Sequence, residues 1–194
     1  MFQVRFHGRG GQGVVTAAEL LASAAFREDR YAQAFPSFGS ERMGAPVMSF
    51  CRIDDKPIRT REPVMEPDAL LIQDATLLHQ ADLFAGLRPD GYVLVNSPRG
   101  VSELGLAEFA AQHRGGHLLT VPATNLALAS LDRPLPGAPM LGGFAAMTQA
   151  VSLDALLAAF AERFNSRVAA GNSAAARAAF DFVTDELMRV TQHA

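Results

Sequence analysis

The sequence predicts an α/β fold in which a mainly parallel sheet is flanked by helices. Strand-like and helix-like segments alternate along the chain, as they do where helices connect parallel strands. Two continuous apolar runs, 69–73 and 91–96, suit strands that are buried on both faces. A Rossmann-like glycine loop at 8–13 follows the first strand and precedes a helix rich in small residues. We expect one domain, 1–194, because this length suffices for a single full core.

The first third of the chain is predicted to begin with a strand at 2–7 and a helix from residue 13 to about residue 27. Apolar residues recur on one face of that helix at helical spacing: Val14, Ala17, Ala18, Leu21 and Ala25. A second strand is predicted at 31–35. Residues 47–53 alternate as a strand does, and the turn at 54–57 predicts a β-hairpin with a partner strand at 58–61.

The rest of the chain continues the alternation and ends in helices. Strands are predicted at the two apolar runs and at 117–121, with helices at 77–87 and 104–112 between them. From residue 125 the pattern is helical, with an interruption at 134–139. Two amphipathic C-terminal helices, 153–164 and 174–190, are predicted to flank a polar turn.

The glycine loop indicates a ligand that carries phosphate. Its spacing, Gly8-x-Gly10-x-x-Gly13, fits the dinucleotide fingerprint. Glycines let the backbone approach a ligand closely, and the N–H groups that begin the next helix attract anions. A nicotinamide enzyme usually has an acidic residue about 20 residues later, at the end of the second strand. Residues 31–39 contain none, so the loop favours a phosphate ligand over NAD, and a plain strand-to-helix turn stays an open alternative.

A second polar loop follows the second predicted strand. Ser40, Glu41 and Arg42 stand between Gly39 and Gly44. Loops at the carboxyl ends of strands border the ligand crevice in open α/β sheets, so this loop should lie near the glycine loop. Arg42 could then pair with phosphate, and Glu41 could orient it. The alternative is a solvated turn with an incidental Glu–Arg pair.

Composition excludes several classes of protein. The net charge of −3 gives no general signal for nucleic acid. With Cys51 as the single cysteine, the chain can form no internal disulfide and has no cysteine cluster for zinc or iron–sulfur. The five histidines lack a metal-ligand spacing. No apolar run approaches the ~20 residues of a membrane helix, and a strand at the N-terminus leaves no room for a signal peptide. We therefore expect a cytoplasmic protein that contacts neither nucleic acid nor membrane. A charged fraction of 19% indicates buried subunit interfaces.

Longer strings of residues resemble a known family. They are His7-Gly-Arg-Gly-Gly-Gln-Gly-Val-Val-Thr16, Tyr31-Ala-Gln-Ala-Phe-Pro-Ser-Phe-Gly39, Glu41-Arg42, Gly44-Ala-Pro-Val47, Pro57-Ile58-Arg59 and Met140-Leu141-Gly142, in that order. Together they make nearly the whole chain similar to the gamma subunit of 2-oxoacid:ferredoxin oxidoreductases, the pyruvate synthase group.

The resemblance implies a function within a complex. Such complexes convert a 2-oxoacid and coenzyme A to an acyl-CoA, CO2 and two electrons. Thiamine diphosphate with Mg²⁺ is bound by alpha and beta subunits, and 4Fe–4S clusters in a ferredoxin-like subunit or domain carry the electrons to ferredoxin or another acceptor. The gamma chain helps to bind coenzyme A, holds none of these cofactors itself and contributes no catalytic residue. A free-standing nicotinamide- or flavin-dependent oxidoreductase is the alternative.

The resemblance also implies which residues contact coenzyme A: Gly8, Arg9, Gly10, Gly11, Gln12, Gly13, Ser40, Glu41, Arg42 and Met140. The chain departs from the family pattern in two places. Met43 stands where a second arginine is frequent, and residues 136–139 stand where an Asn-Thr pair often precedes Met-Leu-Gly. Both departures remove polar groups, and the sequence leaves the 2-oxoacid and the electron acceptor open.

Overall fold

The computed structural model describes residues 1–37, 43–79 and 82–192. In these ranges one sheet contains six strands in the order β2-β3-β1-β4-β5-β6. The strands are β1 (Phe2–Arg9), β2 (Tyr31–Pro36), β3 (Pro46–Asp54), β4 (Ala69–Ile72), β5 (Tyr92–Asn96) and β6 (Leu118–Val121). The helices are α1 (Val14–Arg27), α2 (Ala107–Ala111), α3 (Ala123–Leu131), α4 (Gly137–Thr148), α5 (Leu153–Arg163) and α6 (Ser166–Gln192), with a short 3-10 helix at Ala75–His79.

The sheet is mixed. Strand β1 pairs in parallel with β4, and β4, β5 and β6 continue the parallel half. On its other edge β1 pairs antiparallel with β3, which pairs antiparallel with β2. The predicted α/β class with a mainly parallel sheet, a hairpin and C-terminal helices is confirmed. The polar turn predicted between the last two helices was wrong in extent, because α6 already begins at Ser166.

The position predicted for the hairpin was wrong. Residues 58–61 form no strand, and the hairpin consists of β2 and β3. Strand β3 has β1 on one edge and β2 on the other, so neither edge is open to a further partner. The helix predicted at 77–87 was also wrong: residues 75–79 form a short 3-10 helix and residues 83–86 form turns, while residues 80 and 81 lie outside the described residues.

Four helices cover one face of the sheet and make the main core. Val4 and Phe6 of β1 point into this core, which α1, α4, α5 and α6 complete. Helices α4 and α6 approach closely because small residues line their contact. A Cβ built on Gly142 would lie 2.1 Å from the carbonyl oxygen of Ala176, so the two backbones leave no room for a methyl group.

The opposite face has an apolar half and a polar half. Leu77, Leu83 and Leu104 cover the strands β4 to β6 there. Over β1 and β3, two buried arginines, Arg5 and Arg52, cover the sheet in place of leucines. Arg5 donates to the carbonyl oxygens of Leu83 and Ala85, each at 2.8 Å, and Arg52 donates to that of Glu62. The arginines thereby hold segments that have no regular structure against the sheet.

Among the described residues, no helix has both the length and the hydropathy that crossing a membrane requires.

The close approach of α4 and α6 gives the first prediction. Gly142→Ala should lower the free energy of unfolding by about 3 kcal/mol, because a methyl group there meets backbone and not a movable side chain. Gly100→Ala is the control, since its Cβ would have ordinary contact at 3.6 Å with Glu103. Urea unfolding of the three proteins measures the difference, and equal midpoints for Gly142→Ala and wild type would contradict the packing described.

Candidate functional site

The candidate site lies at the edge of the sheet where the parallel strands end. Strand β1 runs into the glycine loop, and α1 begins directly after it. Gly11 and Gly13 have φ of 93° and 74°, a backbone conformation that glycine adopts without strain. Gly13 is the N-cap of α1 and has no side chain to cap it. The first N–H groups of α1 therefore point toward the loop, where an anion is favoured.

The end of the polar loop lies against the glycine loop, as the sequence predicted. Gly10 N–H donates to the carbonyl oxygen of Ala45 at 2.9 Å, and Gly44 N–H donates to that of Gly10 at 3.1 Å. Met43 forms an isolated bridge with Gly10. Ser40, Glu41 and Arg42, the predicted ligand contacts of this loop, lie outside the described residues.

A network of polar side chains holds the glycine loop in place. The Arg9 guanidinium lies 3.2 Å from the Asp74 carboxylate and donates to Thr76 Oγ1 at 2.9 Å and to the Gly44 carbonyl at 3.0 Å. Gln12 donates to Asp74 Oδ2 at 2.9 Å and accepts from the Arg9 N–H at 2.7 Å. Arg9 and Gln12, both predicted site residues, are therefore fixed by a carboxylate from the end of β4.

Asp74 is a residue that the sequence reasoning missed. Burial tends to raise the pKa of its carboxyl, but hydrogen bonds from Thr76 and Gln12 and the charge of Arg9 outweigh burial and lower that pKa. Asp74 thus stays ionised near neutral pH. Its position in the sequence could have identified it as a site residue, because it directly follows an apolar run that predicts a buried strand, and strand ends border the ligand crevice.

The next strand ends contribute a second polar set. Asn96 Nδ2 donates to the Gln73 carbonyl and to Thr124 Oγ1, each at 2.8 Å, and Asn96 Oδ1 accepts from Thr124 N–H at 3.1 Å. These bonds tie the ends of β4 and β5 to the start of α3. Gln73 itself is fully buried, and its side-chain oxygen and nitrogen have no hydrogen-bond partner within the described part of the chain.

A groove of about 760 Å³ opens beside the glycine loop. It lies between the starts of α1, α4 and α6 and the end of α3. Its lining comprises Gln12, Gly13, Thr16, Ala17, Leu20, Ser130, Leu131, Asp132, Arg133, Leu135, Gly137, Ala138, Phe164, Asn165, Arg167, Val168 and Asn172. Of the predicted site residues, Gln12 and Gly13 line this groove.

Two predicted site residues have buried positions. Gly8 is at the end of β1, where an added Cβ would lie 2.6 Å from Val14 Cγ2. Met140 is fully buried in the core cluster, behind the start of α4. Its side chain packs within the protein and does not line the groove.

Strand β1 also carries a buried histidine on the polar half of the sheet. Arg5 Nε donates to His7 Nε2 at 3.0 Å, so the neutral ring carries its proton on Nδ1. Burial, with a smaller effect from the Arg5 charge, lowers the pKa of His7 to about 3. His7 therefore stays neutral in the folded protein at neutral pH.

No group of three or more His, Cys, Asp or Glu side chains within residues 1–37, 43–79 and 82–192 is arranged to hold a metal ion.

The sequence of residues 3–182 matches the family described as pyruvate ferredoxin/flavodoxin oxidoreductase. The chain belongs to this family. A curated family member, pyruvate synthase subunit PorC of Methanothermobacter marburgensis, is 46% identical over 181 residues, which are 93% of this chain and 97% of that protein. The pyruvate/ketoisovalerate oxidoreductases common subunit gamma of Thermococcus kodakarensis is 45% identical over 181 residues, or 93% and 96%.

A solved structure of the family has the same architecture. The crystal structure of pyruvate oxidoreductase subunit PORC from Thermotoga maritima superposes with a TM-score of 0.78 at 34% identity, over 93% of this chain and 95% of that one. The predicted resemblance to gamma subunits is confirmed. A free-standing nicotinamide or flavin enzyme finds no support among these relatives.

His7 gives a prediction about pH. Below about pH 6.5 an unfolded histidine binds a proton, whereas folded His7 does not until about pH 3. The unfolded state therefore binds more protons in this window, and stability falls as pH falls. His7→Gln, which keeps an acceptor for Arg5, should remove this effect. Between pH 7 and pH 5 wild type should lose about 2 kcal/mol more than the variant.

Urea unfolding of both proteins at the two pH values measures this loss. An equal loss in wild type and His7→Gln would show that His7 titrates in the folded state as it does in the unfolded state.

Proposed function

We propose that this chain is the gamma subunit of a multi-subunit, thiamine diphosphate-dependent 2-oxoacid:acceptor oxidoreductase, and that it helps to bind coenzyme A. Membership of the family supports the complex. The glycine loop supports the assignment of coenzyme A as the ligand, because a helix start without a side-chain cap and glycines of positive φ meet at the carboxyl edge of the sheet. Such an arrangement suits a phosphate-bearing molecule. We treat residues 1–194 as one functional domain.

The residues have distinct parts in this proposal. The N–H groups of the loop and of the first turn of α1 would donate to phosphate oxygens of coenzyme A. Arg42, and Ser40 with Glu41, would complete the contact from the polar loop. Asp74 would keep Arg9 and Gln12 in position through the bonds described above. The chain binds and orients the thiol substrate, and no residue of it takes part in bond making.

The cofactors of the complex are assigned to partner chains. Cys51 is fully buried, and burial raises the pKa of its thiol far above the ordinary value, so it is a poor ligand for an iron–sulfur cluster. We therefore place thiamine diphosphate and Mg²⁺ in alpha and beta subunits and the 4Fe–4S clusters in a ferredoxin-like subunit or domain. Thiamine diphosphate supplies the carbanion chemistry of decarboxylation when it is bound there.

Selection of the 2-oxoacid is also proposed to lie outside this chain. The Thermococcus relative is named as a subunit common to pyruvate and ketoisovalerate oxidoreductases. A subunit that serves two substrates would provide what both reactions share, and coenzyme A is such a component.

The sheet topology argues against NAD as the ligand. In a dinucleotide fold a parallel strand beside the first strand ends in the acid that holds the ribose. In this chain β1 has β4 on one edge and β3 on the other, and β3 is antiparallel. The start of β3, and not its end, therefore lies at the glycine loop.

The first functional prediction concerns partners. The isolated chain should not reduce a viologen dye with pyruvate and coenzyme A, because the cofactors are assigned to other subunits. Addition of alpha, beta and ferredoxin-like subunits should restore turnover, and omission of this chain should abolish it. Steady dye reduction by the purified chain alone would refute the assignment.

The second concerns Arg42. A hydrogen bond to a charged group contributes roughly 1.5–3 kcal/mol, so Arg42→Ala in the assembled complex should raise KM for coenzyme A by about ten- to a hundredfold. KM for the 2-oxoacid should hardly change. Arg42→Lys should recover part of the loss, since a point charge cannot form the two-pronged contact. Arg114→Ala, an exposed arginine just before β6, is the control. An unchanged KM for coenzyme A would remove Arg42 from the site.

A further inference from the structure

Strand β2 lies at one edge of the sheet, and its outer side has backbone groups that pair with no strand. Ser37 N–H donates to the Met48 carbonyl at 2.9 Å, and bonds toward β3 recur at every second residue of an antiparallel pair. The N–H and C=O groups of Ala32 and Ala34 therefore point away from β3, where the described chain has no further strand. Pro36 has no N–H, so the open edge is short.

The side chains around this edge do not protect it. Natural proteins usually place charged residues, bulges or a covering segment at an edge strand to prevent pairing with another chain. Residues 31–36 contain no charged side chain. Tyr31 in the strand is 46% exposed, and Phe26, near the end of α1, is 57% exposed. An open strand edge beside exposed aromatic residues indicates a contact with another chain.

The order of residues in β2 is nearly a palindrome about Gln33. Ala32 and Ala34 flank Gln33, and Tyr31 and Phe35 flank the two alanines. If two β2 strands pair antiparallel about a two-fold axis at Gln33, Ala32 of each copy faces Ala34 of the other and exchanges both backbone hydrogen bonds with it. Tyr31 then faces Phe35 of the second copy as an aromatic cross-strand pair. In this register both outward N–H groups of the strand have acceptors.

Helix α1 carries a complementary surface beside the same edge. A groove of about 480 Å³ is lined by Glu19, Ala22, Ser23, Phe26, Arg27, Ala34 and Glu162. Small residues of α1 and β2 leave this space open, and the exposed Phe26 stands at its side. Across the two-fold axis, Phe26 of each copy would enter the groove of the other and bury its ring against small side chains.

The charges on α1 are complementary about the same axis. Glu19 and Arg27 are both exposed and are equally spaced on either side of Ser23, on one side of the helix. In an antiparallel pair of α1 helices centred on Ser23, Glu19 of each copy meets Arg27 of the other. Arg27 also contacts Glu162 of its own chain, so its guanidinium would bridge two carboxylates. A two-fold contact requires this self-complementarity, because the same surface serves on both copies.

We propose that the open edge of β2 pairs with the β2 edge of a second copy of this chain, which joins two sheets into one about a two-fold axis at Gln33. The contact combines backbone hydrogen bonds, burial of Phe26 and charge pairing between the α1 helices. The inference does not depend on binding of coenzyme A by this chain, and it implies that the assembled complex contains this chain in pairs.

Disulfide cross-linking in the assembled complex tests the pairing. Gln33→Cys places two thiols at facing positions whose Cα atoms are about 4.5 Å apart, a separation that a disulfide spans. After mild oxidation the chain should migrate mainly at twice its 20.7 kDa on a non-reducing denaturing gel. Tyr31→Cys is the control and should stay at the single mass, because Phe35 and not a cysteine lies opposite. The native Cys51 is fully buried and should not react.

Three results of cross-linking would overturn the inference. A bond between Gln33→Cys and a different subunit would show that another kind of chain covers the edge. Absence of any cross-link would show that the two edges do not meet. Equal cross-linking by Gln33→Cys and Tyr31→Cys would exclude the two-fold register.

A second pair of variants tests the contact without a new cysteine. Phe26→Glu places a carboxylate beside Glu19 and Glu162 of the second copy, so the dissociation constant of the pair should rise by at least about tenfold. Phe182→Glu, a change at an exposed phenylalanine of α6, is the matched control and should leave that constant unchanged. Native mass measured over a dilution series of the complex gives the constant. Equal constants for Phe26→Glu and wild type would remove α1 and the β2 edge from any contact between copies.

Discussion

Strand β1 carries hydrogen bonds on both edges, parallel to β4 on one side and antiparallel to β3 on the other, and the rest of the structure depends on this double pairing. The parallel side places the ends of β1 and β4 at one edge. The antiparallel side brings the start of β3 to the same edge. The glycine loop is therefore held between two kinds of neighbour, a strand end that supplies side chains and a loop that supplies backbone groups. A strand with one free edge could not fix the loop in this way.

Two polar residues follow β4, Gln73 and Asp74, and their side chains have different surroundings. Asp74 turns to Arg9 and Gln12, and its negative charge balances an arginine that would otherwise compete for anions. Gln73 turns the other way, into the space between α1 and α4, where nothing in the described chain satisfies it. Asp74 thus holds the glycine loop in place, while the side-chain amide of Gln73 keeps a donor and an acceptor without a partner in the described chain. Rigid supports beside unsatisfied donors are what preorganisation for a polar ligand requires.

Local patterns predicted the parts of the site that are local. The glycine loop, its flanking strand and helix, and the position of residues 43–45 beside it all follow from order along the chain. The Arg9–Asp74 contact spans 65 positions, and no periodicity in the sequence links the two. The groove arises where three distant helices begin, so it depends on packing that sequence spacing does not contain. Residues 58–61 have a sequence typical of a strand. They form none because β1 and β2 already occupy both edges of β3, the strand with which they were predicted to pair.

Arg5 and Arg52 attach the irregular segments around residues 62 and 83–85 to the sheet through carbonyl oxygens. Every residue type has a carbonyl, so the side chains of those segments are free to change without loss of the contact. The arginines have no such freedom, because no other side chain offers the same fork of donors. We therefore expect the two arginines to vary less among relatives than the segments that they hold. Methods that infer contacts from correlated substitutions would therefore not detect this part of the fold, although it is as specific as a paired side-chain contact.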